Sequence, residues 1–358
     1  MARNAPRQSE PHERSHLRHQ SSLGEVPGRV GELVSIFCGA GGLDLGFEQS
    51  GFSVPAAYDI RESSIESYNA NRGHDSAGHV ADVRHLTVNE IHANVGRLEF
   101  SPIGLIGGPP CQSFSGANTV DRDDDPRHSL PDQYTRLVRE LNARSPLHFF
   151  AFENVMGLIG PKHAHVFEKL KLELGRAFNL TETVLDAHDY GLPQRRRRVI
   201  VVGFNKSIYG KLSWVPPEVQ DGRATVRDAI GELPEPVHFE RGLSESAIPF
   251  HPNHWCMKPK SAKFMNGRMS VGSKNRRCFK VLSWHEPSPT VAYGNREVHV
   301  HPGQHRRLSV LEAMRLQGFP DNYVLKGTLS AQITQVSEAV PPPLAAVIAR
   351  SIKEQLGL

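Results

Sequence analysis

The stretch Leu33-Val34-Ser35-Ile36-Phe37-Cys38-Gly39-Ala40-Gly41-Gly42-Leu43-Asp44-Leu45-Gly46-Phe47 decides the fold. It opens on a short apolar run, passes through a glycine-rich turn, and continues into an amphipathic stretch that ends near Ser50, which reads as strand, tight turn and helix. Glycines in such a turn let a ligand approach the backbone closely, and the helix amino terminus favours polar or anionic groups. The spacing is not the G-x-G-x-x-G of dinucleotide folds, so taken alone the turn also fits a purely structural bend. Short apolar runs recur at 53–58, 104–106, 148–152 and 199–204, separated by stretches long enough for helices, notably 133–142 and 165–174. Continuous apolar strands alternating with helices predict an α/β fold built on a mostly parallel sheet covered on both faces.

Two acids follow the turn in a telling order. Asp59 ends the second predicted strand, where a carboxylate binds a ribose diol, and Asp82 stands at the end of a third. Each alone reads equally as a helix cap, but the order of turn, Asp59 and Asp82 favours a cofactor that contains a nucleoside.

The 358 residues are 38% hydrophobic and 22% charged, with Lys+Arg 42 against Asp+Glu 38, a balance that excludes disorder over the whole length. The formal charge of +4 permits an anionic partner without demanding one. No apolar run approaches the roughly 18 residues that span a bilayer, and the Arg/His-rich amino terminus has no apolar core of a secretion signal, so a cytoplasmic protein is expected. The four cysteines, Cys38, Cys111, Cys256 and Cys278, form no C-x-x-C pair, so neither a disulfide framework nor a four-cysteine zinc site is expected. Residues 1–28 hold almost no large apolar side chains and read as a basic tail without fixed structure. Residues 29–205 hold the α/β pattern; 206–330 turn irregular and rich in Pro, Gly, Lys, Arg and His, as a smaller domain would; 331–358 return with an amphipathic helix after Pro341-Pro342-Pro343.

Three further stretches carry chemistry. In Gly107-Gly108-Pro109-Pro110-Cys111-Gln112-Ser113-Phe114-Ser115, a cysteine after two prolines sits on a stiff turn at a carboxyl strand end, where open α/β sheets place their sites, so Cys111 reads as a nucleophile that needs a lowered pKa or a general base. Glu153, in Ala151-Phe152-Glu153-Asn154-Val155, ends another run; it caps a helix or pairs with an arginine, or else shares a pocket with Cys111 as an acid/base group. In Gln194-Arg195-Arg196-Arg197-Arg198, entering the strand at Val199, alternation puts Arg196 and Arg198 on one face and Arg195 and Arg197 on the other.

In this order the stretches resemble the DNA (cytosine-5) methyltransferase family of bacterial modification systems, which uses S-adenosylmethionine. The likeness continues through Arg307-Leu308-Ser309-Val310-Leu311-Glu312-Ala313-Met314-Arg315-Leu316-Gln317-Gly318-Phe319-Pro320 and Gln335-Val336-Ser337-Glu338-Ala339-Val340-Pro341-Pro342. The resemblance implies a Rossmann-like methyltransferase fold and a catalytic set of Cys111, Glu153, Arg196 and Arg198. Cys111 would attack carbon 6 of a flipped-out cytosine, Glu153 would hold ring nitrogen 3 and the exocyclic amine, and Arg198 the base oxygen, with Gln112, Ser115 and Gln194 also at the substrate. For the cofactor it implies Phe37 against the adenine, Gly39, Gly41 and Leu43 along the methionine part, and Asp59 with Ile60 at the ribose. Asp82 and Val83 would lie near the adenine amine, with Pro110, Leu130, Glu338 and Val340 completing the walls.

One departure stands out: Ser337-Glu338 occupies the place of the family's usual Gly-Asn. The variable region, with Lys258, Lys260, Lys263, Arg268, Lys274, Arg276 and Arg277, would read duplex DNA. His251, His254 and Cys256 lack a standard zinc spacing, and no metal is expected. The partners implied are double-stranded DNA and a separately acting restriction endonuclease, with no membrane, for a monomer in the bacterial cytoplasm near the nucleoid. A tRNA methyltransferase and a silent DNA-binding regulator of the same fold are the alternatives.

Overall fold

The computed structural model describes residues 30–73, 77–110, 129–220, 222–264, 271, 279–293 and 297–358. Seven strands form one sheet: β1 (Gly31–Ile36), β2 (Phe52–Asp59), β3 (Gly78–Val80), β4 (Gly104–Gly107), β5 (Phe149–Asn154), β6 (Phe178–Asp186) and β8 (Arg197–Asn205). Their order across the sheet is β3-β2-β1-β4-β5-β8-β6, and β8 alone runs against its neighbours. A two-residue strand, β7 (Gln194–Arg195), leaves the sheet to pair with Ser288–Pro289 of the irregular region.

Alternation along the strands builds a core on each face. Leu33, Phe149, Ala151, Ile200 and Val202 point to one side, under α1 (Gly42–Gln49) and the closing helix α10 (Pro342–Leu356). Val34, Phe150, Phe152, Val199 and Val201 point to the other, under α3 (Val88–Val95), α4 (Leu130–Arg144) and α5 (Ala164–Leu174). Burial on both faces is why these strands read as unbroken apolar runs. Helix α2 (Glu62–Ala70) carries a different signature, because its buried positions mix Ser64 and Ser67 with Ile65 and Tyr68.

The irregular region holds short helices, α6 (Lys206–Tyr209) and α7 (Val226–Ile230), and a third core. That core gathers Val226 and Ile230 of α7, Val310 and Met314 of α8 (Val310–Leu316), and Ile333 and Val336 of α9 (Leu329–Glu338). Helix α8 starts in a capping box, Ser309 with Glu312, and Glu312 also takes both terminal nitrogens of buried Arg306 at 2.9 Å. α10 has prolines in its first turn, where the missing N–H groups would have no intrahelical partner. No helix among the described residues is long and apolar enough to cross a membrane.

The sheet reverses its winding between β1 and β4. In open α/β sheets that switch point, at the carboxyl ends of the strands, is where a ligand crevice forms.

Candidate active site

The turn after β1 is left-handed at Phe37 (φ 57°), Gly39 (φ 54°) and Gly41 (φ 86°). A bulky residue such as Phe37 rarely adopts that backbone, so its place is imposed by the surrounding turn. Gly39 N–H donates to Asp59 Oδ2 at 3.0 Å and Arg61 N–H to Asp59 Oδ1 at 2.9 Å, which locks the ends of β1 and β2 together. A Cβ added at Gly39 would meet no protein atom within 4 Å, so the space beside this turn is open.

That space is a cavity of about 290 Å³, near the lower end of the range of ligand clefts. Phe37, Gly39 and Leu43 form its wall from the first turn, and Asp59, Ile60, Asp82 and Val83 from the ends of the second and third strands. Pro110, Leu130, Glu338 and Val340 close it, and Glu153 and Arg198 face the same space. Gly41 does not line it: a Cβ there would come within 2.9 Å of the Arg72 guanidinium and the Tyr68 ring, so this glycine serves the packing beneath the turn.

Glu153 and Arg198 meet because β8 is antiparallel. In the β5–β8 register Glu153 faces Ile200, so the start of β8 lies beside the end of β5. Arg198 Nε is 2.9 Å from Glu153 Oε1, and both side chains are nearly buried. Burial pushes the Glu153 carboxyl above its usual range, opposed by the charge of Arg198 and then of Arg196. Gly108 lies against this carboxylate, where a Cβ would stand 2.7 Å from Glu153 Oε2, and Asn154 Nδ2 donates to Pro109 O at 3.2 Å, fixing the proline turn to β5.

Arg196 and Arg198 are buried while Arg195 and Arg197 are exposed, the alternation expected of a strand. Arg196 lies behind the cavity: its N–H donates to Asp186 Oδ1 at 2.8 Å and its Nη1 to Ser337 O at 2.9 Å, at the carboxyl end of α9. Buried Gln194 donates from Nε2 to Leu316 O at 3.1 Å, tying β7 to α8. Cys111, Gln112, Ser115, Arg268, Lys274, Arg276, Arg277, Cys278 and the tail of residues 1–28 lie outside the described residues. Lys258 and Lys260 are exposed, and Lys263 Nζ sits 4.4 Å from the centre of the Phe279 ring.

The cavity also holds residues absent from the expected set, chiefly Arg61, Ser64, Arg84 and Gln335. A signal for the two arginines was present: Asp59-Ile60-Arg61 and Asp82-Val83-Arg84 are the same turn twice, with the arginine N–H donating to the aspartate two residues back at 2.9 Å and 3.0 Å. Arg84 folds back onto Asp82, with its Nε 2.9 Å from Oδ2, and this bond holds the Asp82 carboxyl below its usual range. Burial raises the Asp59 carboxyl instead.

Among the described residues, the two cysteines and the His251–His254 pair have structural places. Burial pushes Cys38 well up and Cys256 to about 12, so neither is a thiolate at neutral pH. His254 uses both ring nitrogens, on Ser309 Oγ at 3.0 Å and Pro234 O at 2.7 Å, and His251 Nε2 is 3.2 Å from Tyr323 O. Among the described residues no three metal-binding side chains cluster.

A mostly parallel sheet with one reversed strand, carrying a glycine turn and a cavity at its switch point, defines a Rossmann-like fold of the S-adenosylmethionine-dependent methyltransferase kind. Residues 31–354 match the family of C-5 cytosine-specific DNA methylases, and the chain belongs to that family. It is 34% identical to the Type II methyltransferase M.MthTI of Methanothermobacter thermautotrophicus, over 91% of this chain and 98% of that one. It is 30% identical to M.FnuDI of Fusobacterium nucleatum, over 91% and 95%. Among solved structures, a protein described as a DNA modification methyltransferase, encoded within an E. coli prophage, superposes with a TM-score of 0.73 at 25% identity, covering 91% of this chain and 99% of that one. The protein is thus an enzyme of the DNA (cytosine-5) methyltransferase class.

The cavity suits the family's cofactor on its own chemistry. Its walls carry four carboxylates, Asp59, Asp82, Glu153 and Glu338, against three guanidiniums, Arg61, Arg84 and Arg198. With a proton on Glu153, which its burial favours, the walls carry three charges of each sign and suit a ligand that itself bears both. S-adenosylmethionine, a zwitterion with an added sulfonium, is such a ligand.

Proposed function

We propose that the enzyme methylates carbon 5 of a cytosine flipped out of a specific duplex DNA sequence, through a covalent adduct with Cys111. Asp59 would hold the ribose hydroxyls of S-adenosylmethionine, Asp82 and Val83 would lie by the adenine, and Gly39 and Leu43 along the methionine part. When bound, that cofactor supplies an electrophilic methyl group.

The Cys111 thiolate adds to carbon 6, an electron-poor ring position, and carbon 5 becomes nucleophilic. Glu153 carries a proton to ring nitrogen 3 and accepts from the exocyclic amine, roles suited to a carboxyl that burial keeps easier to protonate. Arg198 donates to the base oxygen, and Arg196, anchored on Ser337, holds the strand that presents it. After methyl transfer, a solvent base takes the carbon 5 proton, the carbon 5–carbon 6 double bond re-forms as Cys111 leaves as thiolate, and ring nitrogen 3 returns its proton to Glu153. Extrusion of the base costs a few kcal/mol, which contacts from the basic region at 206–330 would offset. That region reads the sequence and residues 331–358 complete the catalytic domain. The enzyme acts as a monomer on cytoplasmic DNA, beside a separate restriction endonuclease.

One observation carries this reading: the Glu153–Arg198 pair opens onto the same cavity as Asp59 and the glycine turn, so a base-binding pair and a nucleoside-binding acid share one space. The test is transfer of labelled methyl groups from S-adenosylmethionine to plasmid DNA and, in parallel, to tRNA. Transfer to DNA that stops in Cys111→Ala is expected; transfer to tRNA alone, or transfer persisting in that variant, overturns the assignment.

A further inference from the structure

The two Asp-x-Arg turns of the cavity share a backbone and part company at the arginine side chain. At Asp82 the guanidinium of Arg84 returns to its own aspartate and covers both carboxylate oxygens. At Asp59 both oxygens are held by main-chain N–H groups, from Gly39 and Arg61, and the Arg61 side chain turns instead to Glu338, the last residue of α9. Two bonds join that pair, Arg61 Nη1 to Glu338 Oε2 and Nη2 to Oε1, the latter at 3.2 Å. The two residues are 277 positions apart in sequence, both line the cavity, and both side chains are about one-third exposed at its rim.

From this contrast we infer that Glu338 is a positioning residue for the cofactor: by holding Arg61 it keeps the Asp59 carboxylate open to the ribose hydroxyls. The turn itself sends its arginine back to the aspartate when nothing competes, as Arg84 shows. Glu338 is the competitor at the first turn, and it stands where the resembled family carries a neutral Asn. A carboxylate there takes the guanidinium in a two-pronged pair that an amide oxygen cannot match. Arg61 is therefore harmful to binding once released and harmless while held. The inference rests on the reading of the cavity as the S-adenosylmethionine site.

The test is a mutant cycle on the full-length chain, read by calorimetric binding of S-adenosylmethionine and S-adenosylhomocysteine without DNA. Glu338→Asn frees Arg61 to cover Asp59, and both ligands should weaken by roughly three- to tenfold, the scale of one partly exposed charged contact. On the Arg61→Met background, adding Glu338→Asn should change binding little, because no guanidinium is left to cover Asp59. The double variant Arg61→Met/Glu338→Asn should thus regain most of the lost affinity. A 2′,3′-dideoxy analogue of S-adenosylhomocysteine, which lacks the diol, should bind the natural chain and Glu338→Asn alike. A pair that merely ties α2 to α9 gives the opposite pattern: Arg61→Met weakens binding as much as Glu338→Asn, the double variant is no better, and the dideoxy ligand suffers equally. That pattern overturns the inference. Glu338→Gln, which preserves side-chain length, supplies the same comparison should Glu338→Asn fail to fold. If the natural chain binds neither ligand, the cavity reading fails first, and the two failures are thereby told apart.

Discussion

Gly108→Ala isolates the geometry on which the proposed chemistry depends. The added Cβ would stand 2.7 Å from Glu153 Oε2 and 3.1 Å from Glu153 O. The carbonyl belongs to β5, registered between β4 and β8 on both edges, so it has little freedom to retreat. The carboxylate is the end of a side chain and moves more easily, but only by leaving its 2.9 Å contact with Arg198. The expected folding cost is therefore modest, about 1 kcal/mol, at the low end for overpacking, and the melting temperature should fall by about 1–2 °C in a chain of 358 residues. The cost in rate is larger. A charged group displaced from the position where charge develops forfeits about 10²- to 10³-fold, so single-turnover methyl transfer should slow by that factor while S-adenosylmethionine binding changes little. Glu153→Asp, which shortens the side chain, should restore the melting temperature of the Gly108→Ala variant without restoring its rate. A Gly108→Ala enzyme with the natural single-turnover rate would show that Glu153 need not sit where β4 holds it, and the roles assigned to the pair would fall.

Three more perturbations follow from the same framework. Asp44 is fully buried, with Ser35 Oγ donating to it at 2.7 Å, and burial raises its carboxyl from 3.8 to about 6. Its folded form thus binds the proton more tightly than the unfolded chain does. Stability should fall as pH rises from about 4 to 6 and stay lower above that window by about 3 kcal/mol; Asp44→Asn should gain about 1–3 kcal/mol at pH 8 and nothing at pH 4 in urea titrations, and an equal gain at both pH values would refute it. Glu312→Gln removes the buried carboxylate of Arg306 and leaves it only the exposed Glu235, whose Oε2 lies 2.7 Å from its Nε, which should cost about 2–3 kcal/mol, short of the full cost of an unpaired buried charge, read as an early loss of the third core in hydrogen exchange. Gly39→Ala puts a methyl into the open space beside the first turn at φ 54°, and calorimetry should show S-adenosylmethionine binding weakened at least tenfold, with about 1 kcal/mol lost from stability.

What was legible in the chain depended on how each element is buried. Strands β1, β5 and β8 are covered on both faces and announce themselves as apolar runs, whereas β6 is an edge strand, half exposed and mixed in character, and escapes a reading by periodicity. Helix α2 escapes for a different reason: of its four buried positions only Ile65 and Tyr68 are apolar, while Ser64 and Ser67 fill the rest, Ser67 Oγ donating to Gln335 at 2.7 Å, so the apolar stripe is too short to read. At the site, Asp59 and Glu153 were legible because strand ends are marked locally, and Arg196 with Arg198 because a strand alternates with period two. The Arg61–Glu338 pair was not, since it joins segments brought together only by tertiary packing.

Strand direction is the decisive quantity that no local pattern carries. In an all-parallel sheet the start of β8 would lie at the far edge from the end of β5, and Arg198 would be the length of a strand away from Glu153. The reversal of β8 brings them within 2.9 Å, and alternation then selects which arginines turn inward. Insertion of one residue between Arg198 and Val199 would leave the run of arginines intact yet exchange the inward pair for the outward one. The charge of the segment would be unchanged and the Glu153–Arg198 pair lost, so it is register, rather than the abundance of arginine, on which the proposed catalytic role of this segment rests.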